Sequence, residues 1–222
     1  MNLKALVAEF VGTFTLIFIG VGAIASNVMS GGQSGLVGIA LAHGLAIAVM
    51  VSATAAISGG HLNPAVTIGL FAAKKINLQD TLQYVCAQCA GATLAALFLK
   101  VTIPSDVLAS ISFGIPSLGI NVTPVMGLIT EIILTFFLVF VVYGTAVSKQ
   151  APKVGGLFIG LTVTLDILMG GPITGAAMNP ARHLGPALIG GNLENIWLYW
   201  VGPAIGGMLA GLLYSRCLEE AK

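Results

Sequence analysis

Two short stretches of the chain resemble each other: Ser58-Gly-Gly-His-Leu-Asn-Pro-Ala-Val-Thr67 and Met178-Asn-Pro-Ala-Arg-His-Leu-Gly-Pro186. The first Asn-Pro-Ala follows Ser58-Gly-Gly-His-Leu62 and the second follows Thr174-Gly-Ala-Ala-Met178, and each precedes a short apolar segment. Asn is a strong helix N-cap and Pro is favoured at the first helical position, so each motif predicts the start of a short helix. One such motif would most often be only a cap. Two copies at matched positions predict a paired structure.

The remainder of the chain is too apolar for a water-soluble protein. Of its 222 residues, 57% are hydrophobic and 8% are charged, against roughly 25% charged residues in an average soluble domain. A hydrocarbon core about 30 Å thick is crossed by about 20 apolar helical residues. The sequence therefore predicts an all-α integral membrane fold with six transmembrane helices near 6–25, 36–57, 81–100, 125–147, 154–171 and 195–215, and two half-helices near 63–73 and 179–189.

The second half of the chain is similar to the first. Tyr84–Leu97 matches Tyr199–Leu212 at an offset of 115 residues, and Asn63-Pro64-Ala65 matches Asn179-Pro180-Ala181 at an offset of 116. Each half contains three crossings, an odd number, so the repeats are expected to be inverted in the membrane. We expect one channel-like domain over 1–222, with repeat one near 1–100, a polar loop near 101–124 and repeat two near 125–222.

The distribution of Lys and Arg predicts the orientation, because flanks rich in these residues stay cytoplasmic. With both termini in the cytoplasm, seven basic residues lie inside and two, Lys100 and Arg182, do not. We expect no cleaved targeting segment, and the short tails favour a plasma (inner) membrane. The net charge of +1 argues against a nucleic-acid partner. The seven cytoplasmic residues are Lys4, Lys74, Lys75, Lys149, Lys153, Arg216 and Lys222.

The paired motifs predict a water-filled path at mid-membrane. Two half-helix N-termini would meet there, each with a partial positive charge of roughly +0.5 that repels cations. Non-helical backbone at this depth is tolerated where it lines a cavity. The Asn63 and Asn179 amides could donate to the oxygen of a passing water and interrupt the file of hydrogen bonds along which protons hop.

These motifs resemble those of the aquaporin (major intrinsic protein) family over the whole chain. Glu9, Glu131 and the closing Tyr199-Trp200-Val-Gly-Pro203 support the resemblance. It implies a passive channel, not an enzyme, without a cofactor or metal, that sits in lipid as a homotetramer with one pore per subunit. Ala187 and Tyr199-Trp200 are similar to the water-channel branch of the family.

The resemblance also implies which residues line the narrowest point. Carried over position by position, the selectivity constriction consists of His43, Ile167, Ala176 and Arg182. Arginine adds a barrier to cations and several donors for neutral solutes. The set resembles that of plant tonoplast aquaporins, which implies passage of ammonia, urea, peroxide or glycerol as well as water.

Several ionisable residues lie at or near the predicted pore. An ionisable group inside a span is a functional candidate by default, but the resemblance makes Glu9 and Glu131 supports of the pore loops. His61 is expected to bond local backbone at the cytoplasmic approach. Asp166 and His183 depart from the family pattern and could tune the mouth, Asp166 by pairing with Arg182, His43 or His183. The other reading of Asp166 is a helix position facing water or a neighbouring subunit.

Three functions remain open from the sequence. The first is a passive channel for water, with small neutral solutes, that excludes protons and ions. The second is a channel of this family whose main solute is ammonia, urea or glycerol. The third is a secondary transporter, which also uses inverted repeats and broken helices. Coupling to an ion would need an acid at the central site, and neither half-helix segment contains a carboxylate.

Overall fold

The computed structural model describes residues 2–218. Lys222 and the predicted cytoplasmic C-terminus lie outside the described residues. Within the described part, six helices are long and apolar enough to cross a membrane, and two short helices begin at Pro64 and Pro180. The helices are α1 (Leu3–Met29), α2 (Gly35–Ser58), α3 (Pro64–Ala72), α4 (Leu78–Thr102), α5 (Ser105–Ser110), α6 (Pro124–Val142), α7 (Gly155–Thr174), α8 (Pro180–Gly190) and α9 (Ile196–Leu213).

The outward faces of the long helices are covered by large apolar side chains. Val49 is 62% exposed and Leu165 is 65% exposed. Apolar patches of this kind are rare on soluble monomers, whereas lipid solvates them well. The protein is therefore an integral, multi-pass membrane protein, as the sequence predicts.

The helices of the two halves pack against one another in matching pairs. Helix α1 packs on α2 and α4, and α6 packs correspondingly on α7 and α9. The short helix α3 lies against α9, and α8 lies against α4. Each half therefore inserts its short helix against the last long helix of the other half, as expected for an inverted repeat.

Glycines allow the short helices to approach the long ones closely. A Cβ atom at Gly207 would lie 2.5 Å from the Ala65 carbonyl oxygen, and one at Gly211 would lie 2.5 Å from the Gly69 oxygen. On the other side, a Cβ at Gly185 would lie 2.6 Å from the Ala92 oxygen. Small residues at these crossings let helix backbones touch in a membrane. Gly207 and Gly211 of α9 thus serve the packing of α9 against α3.

The segment 101–124 differs from the polar loop expected from the sequence. Helix α4 continues to Thr102, α5 follows, and a 3₁₀ turn occupies Ser112–Gly114. Leu108 in α5 is 1% exposed, and Ile111 packs against the main core. Counting polar residues did not predict the short helix or these two apolar anchors, which hold the segment on the bundle.

Candidate functional site

A narrow cavity runs between the two short helices. Asn63 and Asn179 line it where α3 and α8 meet. The centres of water molecules can reach a volume of about 30 Å³ inside it. By the same measure, a cavity needs roughly 10–15 Å³ to hold one water. The cavity therefore has room for about two or three water molecules. On either side of the two asparagines it is lined by Val51, His61, Val142, Val163, His43, Ile167 and Arg182, among others.

Both asparagines act as helix caps, as the motif predicts. The Oδ1 atom of Asn63 accepts a hydrogen bond from the backbone N–H of Ala65 at 2.8 Å. Asn179 Oδ1 accepts from the N–H groups of Ala181 at 3.0 Å and Arg182 at 3.2 Å. The capping bonds fix both side chains and leave their amide nitrogens as donors.

Those amide nitrogens also join the two halves. Asn63 Nδ2 donates to the carbonyl oxygen of Met178 at 2.9 Å, and Asn179 Nδ2 donates to that of Leu62 at 3.0 Å. An amide NH₂ group has two hydrogens. One hydrogen of each amide is used in these bonds, so each asparagine keeps one donor for a molecule in the cavity.

Glu9 holds the loop before α3. The carboxylate is fully buried and accepts from the N–H groups of His61 at 2.9 Å and Leu62 at 2.6 Å. It also accepts from the Ser58 hydroxyl at 2.6 Å and the Gln88 amide at 2.7 Å. The bonds from His61 and Leu62 satisfy backbone donors of the non-helical segment between α2 and α3, and those from Ser58 and Gln88 fix the carboxylate to α2 and α4.

Glu131 holds the loop before α8 in the matching way. It accepts from the N–H groups of Ala177 at 2.9 Å and Met178 at 2.7 Å, and from the Thr174 hydroxyl at 2.7 Å. The loops contain the left-handed residues Leu62, with φ of 51°, and Met178, with φ of 50°. Such backbone persists only where its surroundings hold it, and the two carboxylates supply that hold.

Two tyrosines add a further pair of anchors that sequence reasoning missed. Tyr84 donates from its hydroxyl to the Ser58 carbonyl at 2.9 Å, and Tyr199 donates to the Thr174 carbonyl at 2.8 Å. The signal was present in the sequence, because Tyr84 and Tyr199 match in the internal repeat. Gln88 was also missed as a partner of Glu9.

The four residues expected at the constriction surround one end of the cavity. His43, Ile167 and Arg182 line both the narrow cavity and an outer vestibule of about 310 Å³, whereas Ala176 lines the narrow cavity only. The junction of the two spaces therefore lies at these side chains. Arg182 is 5% exposed there.

Arg182 is held by the segment that links the two repeats. Its Nη1 donates to the carbonyl oxygen of Gly114 at 2.7 Å. Guanidinium has five N–H donors, so others are left for the channel. Sequence reasoning missed Gly114, because a backbone acceptor in a presumed loop has no side-chain signal.

Contrary to expectation, the imidazole of His61 makes no hydrogen bond to a backbone group among residues 2–218. Its Nδ1 lies 3.1 Å from the Thr67 hydroxyl, and its ring packs edge-on against Tyr84 with centroids 5.0 Å apart. Only the main-chain N–H of His61 takes part in the support by Glu9. The expectation was wrong because Thr67, one helical turn into α3, reaches the ring first.

The structure places Asp166 away from the channel. It is 4% exposed and lines an outward groove between α6 and α7, with Thr130, Phe137 and Thr162 among its neighbours. Within residues 2–218 no hydrogen bond or ion pair joins it to Arg182, His43 or His183. The expected pairing at the mouth is wrong, because Asp166 lines the groove between α6 and α7, whereas its neighbour Ile167 lines the narrow cavity.

His183 is likewise removed from the mouth. It is fully buried and stacks on Tyr199, with ring centroids 4.2 Å apart and planes inclined by 15°. It lines neither the narrow cavity nor the vestibule. Its side chain supports the packing of α8 on α9 rather than the entrance.

Comparisons with known proteins agree with this architecture. The family model described as "Major intrinsic protein" matches residues 1–214. Aquaporin TIP4-4 of Zea mays is 47% identical over 96% of this chain and 85% of its own length. Aquaporin TIP2-3 of Arabidopsis thaliana is 43% identical over 96% of this chain and 87% of its own length.

A solved structure is similar as well. The X-ray structure of the aquaglyceroporin from Plasmodium falciparum superimposes with a TM-score of 0.87 at 26% identity and covers 98% of this chain and 97% of that chain. The paired Asn-Pro-Ala caps, the two carboxylate-held loops and the narrow cavity between them thus occur in a chain that belongs to the major intrinsic protein family.

Proposed function

We propose that the protein is a passive channel for water that excludes protons and other ions. The observation that carries this proposal is the reciprocal bonding of Asn63 and Asn179 inside the narrow cavity. Each amide retains one donor at the point where two helix N-termini meet. A water that accepts from both amides cannot accept from the next water in the file, which breaks the route for proton hopping. The partial positive charge of both helix ends disfavours cations at the same point.

Small neutral solutes are proposed to pass together with water. The constriction combines one fixed cation, Arg182, with the aliphatic Ile167 and Ala176, so it offers donors on one side and little bulk on the other. Urea, glycerol and ammonia present lone pairs to such donors. The similarity to an aquaglyceroporin structure is compatible with glycerol as the main solute, which is the second candidate.

The test is stopped-flow light scattering on proteoliposomes of the purified protein. We expect fast osmotic water flow with low activation energy, and faster uptake of urea and glycerol than in empty vesicles. Water flow equal to that of empty vesicles would contradict the proposal. Solute uptake that slows when an uncoupler collapses the proton gradient would instead indicate a secondary transporter.

A matched pair of variants tests whether this cavity is the path. Val163 lines the cavity, whereas Leu165 on the same helix is 65% exposed on the outward face. Val163→Trp should abolish water flow, and Leu165→Trp should leave it unchanged. Equal water flow in both variants would show that the solute passes elsewhere.

The proposal extends to the assembly of the channel and to the membrane that holds it. We propose a homotetramer with one pore per subunit, to be checked by the mass of the detergent-solubilised complex in light scattering. The TIP names of the relatives favour a tonoplast-type membrane over the plasma membrane expected from the sequence. Fluorescence microscopy of the tagged chain in its native cell separates the two membranes.

A further inference from the structure

The ring of His43 lies in a notch on the neighbouring helix α1. The notch exists because residue 20 is glycine: a Cβ atom there would lie 2.5 Å from Cδ2 and 2.9 Å from Cε1 of His43, and closer still to Nε2. Separations under about 3.0 Å do not occur for real Cβ atoms. The tip of the imidazole therefore occupies the space that a side chain at position 20 would fill.

The opposite edge of the ring is anchored to its own helix. His43 Nδ1 lies 2.9 Å from the carbonyl oxygen of Ile39. Nε2, at the tip, is buried and has no hydrogen-bond partner among the described residues. The histidine is thus drawn back toward α1, and its polar tip is turned into the notch.

The side of the His43 ring that faces away from α1 borders the channel. His43 lines both the narrow cavity and the outer vestibule, together with Ile167 and Arg182. A methyl group on α1 would push the ring from behind, while the Ile39 contact holds the Nδ1 edge. Such a push would turn the tip of the ring toward the channel.

We propose that Gly20 is a specificity-determining residue, which widens the constriction by letting the His43 ring retract into α1. Gly20 touches no solute and acts through His43, so it is a positioning residue. This inference rests on the proposed passage of neutral solutes. The solute class that depends on it is the one larger than water, namely urea and glycerol.

The decisive variant is Gly20→Ala, and the chain offers a matched control two residues later. A Cβ atom at Gly22 would meet only the Leu99 Cδ2 atom, at an ordinary 3.8 Å. Both positions lie within α1, where alanine is a better helix former than glycine, so neither change should weaken the helix itself.

We expect Gly20→Ala to lower the ratio of urea to water permeability roughly tenfold, the scale on which one methyl group in a tight passage discriminates. Gly22→Ala should leave the ratio and the water permeability as in the wild type. Equal ratios in the two variants would overturn the proposal.

A second set of variants separates positioning from general damage. In a His43→Ala background the ring is absent, so adding Gly20→Ala should not change the permeability ratio further. If Gly20→Ala alone yields too little folded protein, the double variant Gly20→Ala/His43→Ala should restore the yield. A double variant that fails to fold, or a ratio that still falls in the His43→Ala background, would show that the methyl group acts on another neighbour.

Failure of the inference differs from failure of the proposed function. If the wild type carries water but no urea or glycerol, the solute part of the function fails. The inference is then tested by water flow, which should be lower in Gly20→Ala than in Gly22→Ala. Equal water flow would overturn it independently of the solute result.

Discussion

Asn63 and Asn179 each donate to the carbonyl oxygen that immediately precedes the other asparagine, at 2.9 Å to Met178 and 3.0 Å to Leu62. The two half-helices are therefore fastened to each other by the same side chains that face the cavity. The same two hydrogen bonds orient the asparagine amides in the cavity and hold the two repeats together. A change at either asparagine should therefore affect both the cavity and the packing of the repeats.

Asn179→Asp should reduce the exclusion of cations. The carboxylate cannot donate to Leu62 and places a negative charge where two positive helix ends meet. We expect a measurable proton or sodium leak into proteoliposomes loaded with a fluorescent indicator, together with slower water flow. Asn192→Asp serves as the control, because Asn192 is exposed and lies outside the cavity. Leaks of equal size in the two variants would contradict the assigned role of Asn179.

Glu131→Gln should destabilise the second pore loop. The glutamine amide nitrogen cannot accept from Ala177, Met178 or Thr174, so at least one buried donor loses its partner. We expect a cost of about 2 kcal/mol and a fall in Tm of roughly 4–8 °C, measured by fluorescence of the detergent-solubilised protein. The exposed Glu194→Gln should leave Tm unchanged. A similar Tm for both variants would argue against the supporting role.

Arg182→Ala should make the channel less selective. The change removes the fixed charge at the constriction and frees the Gly114 carbonyl. We expect glycerol permeability to rise roughly tenfold, equivalent to about 1.4 kcal/mol removed from the barrier, while water flow stays fast. The measurement is stopped-flow uptake in proteoliposomes. Unchanged glycerol uptake would place the narrowest point elsewhere in the cavity.

Asp166→Asn should leave water and urea permeability unchanged, because Asp166 lines the outward groove between α6 and α7 and not the channel. The check is the same stopped-flow assay, run beside His43→Ala, which should alter the urea to water ratio. A changed ratio in Asp166→Asn would mean that the groove communicates with the constriction.

The parts of the fold that the sequence predicted well are set by local chemistry. The Asn-Pro pairs at 63–64 and 179–180 could be predicted to start helices, because the capping bond closes within three residues. Glu9 and Glu131 could be recognised because a carboxylate inside an apolar span must have partners. Both features can be read without knowing which helix lies beside which.

The parts that were missed depend on contacts between distant elements. The Gly20 notch, the Gly114 carbonyl and the groove at Asp166 require the order of helices around the bundle. In a membrane protein both the core face and the lipid face of a helix are apolar, so hydrophobic periodicity does not tell them apart. For this reason, the sequence could not predict that the Asp166 side chain faces the groove between α6 and α7.

The contact between Gly114 and Arg182 has a consequence for how such channels diversify. The link between two duplicated halves is the part of the chain least constrained by their symmetry, yet here it supplies the carbonyl that holds the guanidinium of Arg182, the arginine of the proposed constriction. Insertions or substitutions between α4 and α6 could thus retune which solutes pass while every wall residue of the channel stays the same. The segment between α4 and α6 is thus a place outside the two symmetric repeats where a sequence change can alter the position of Arg182.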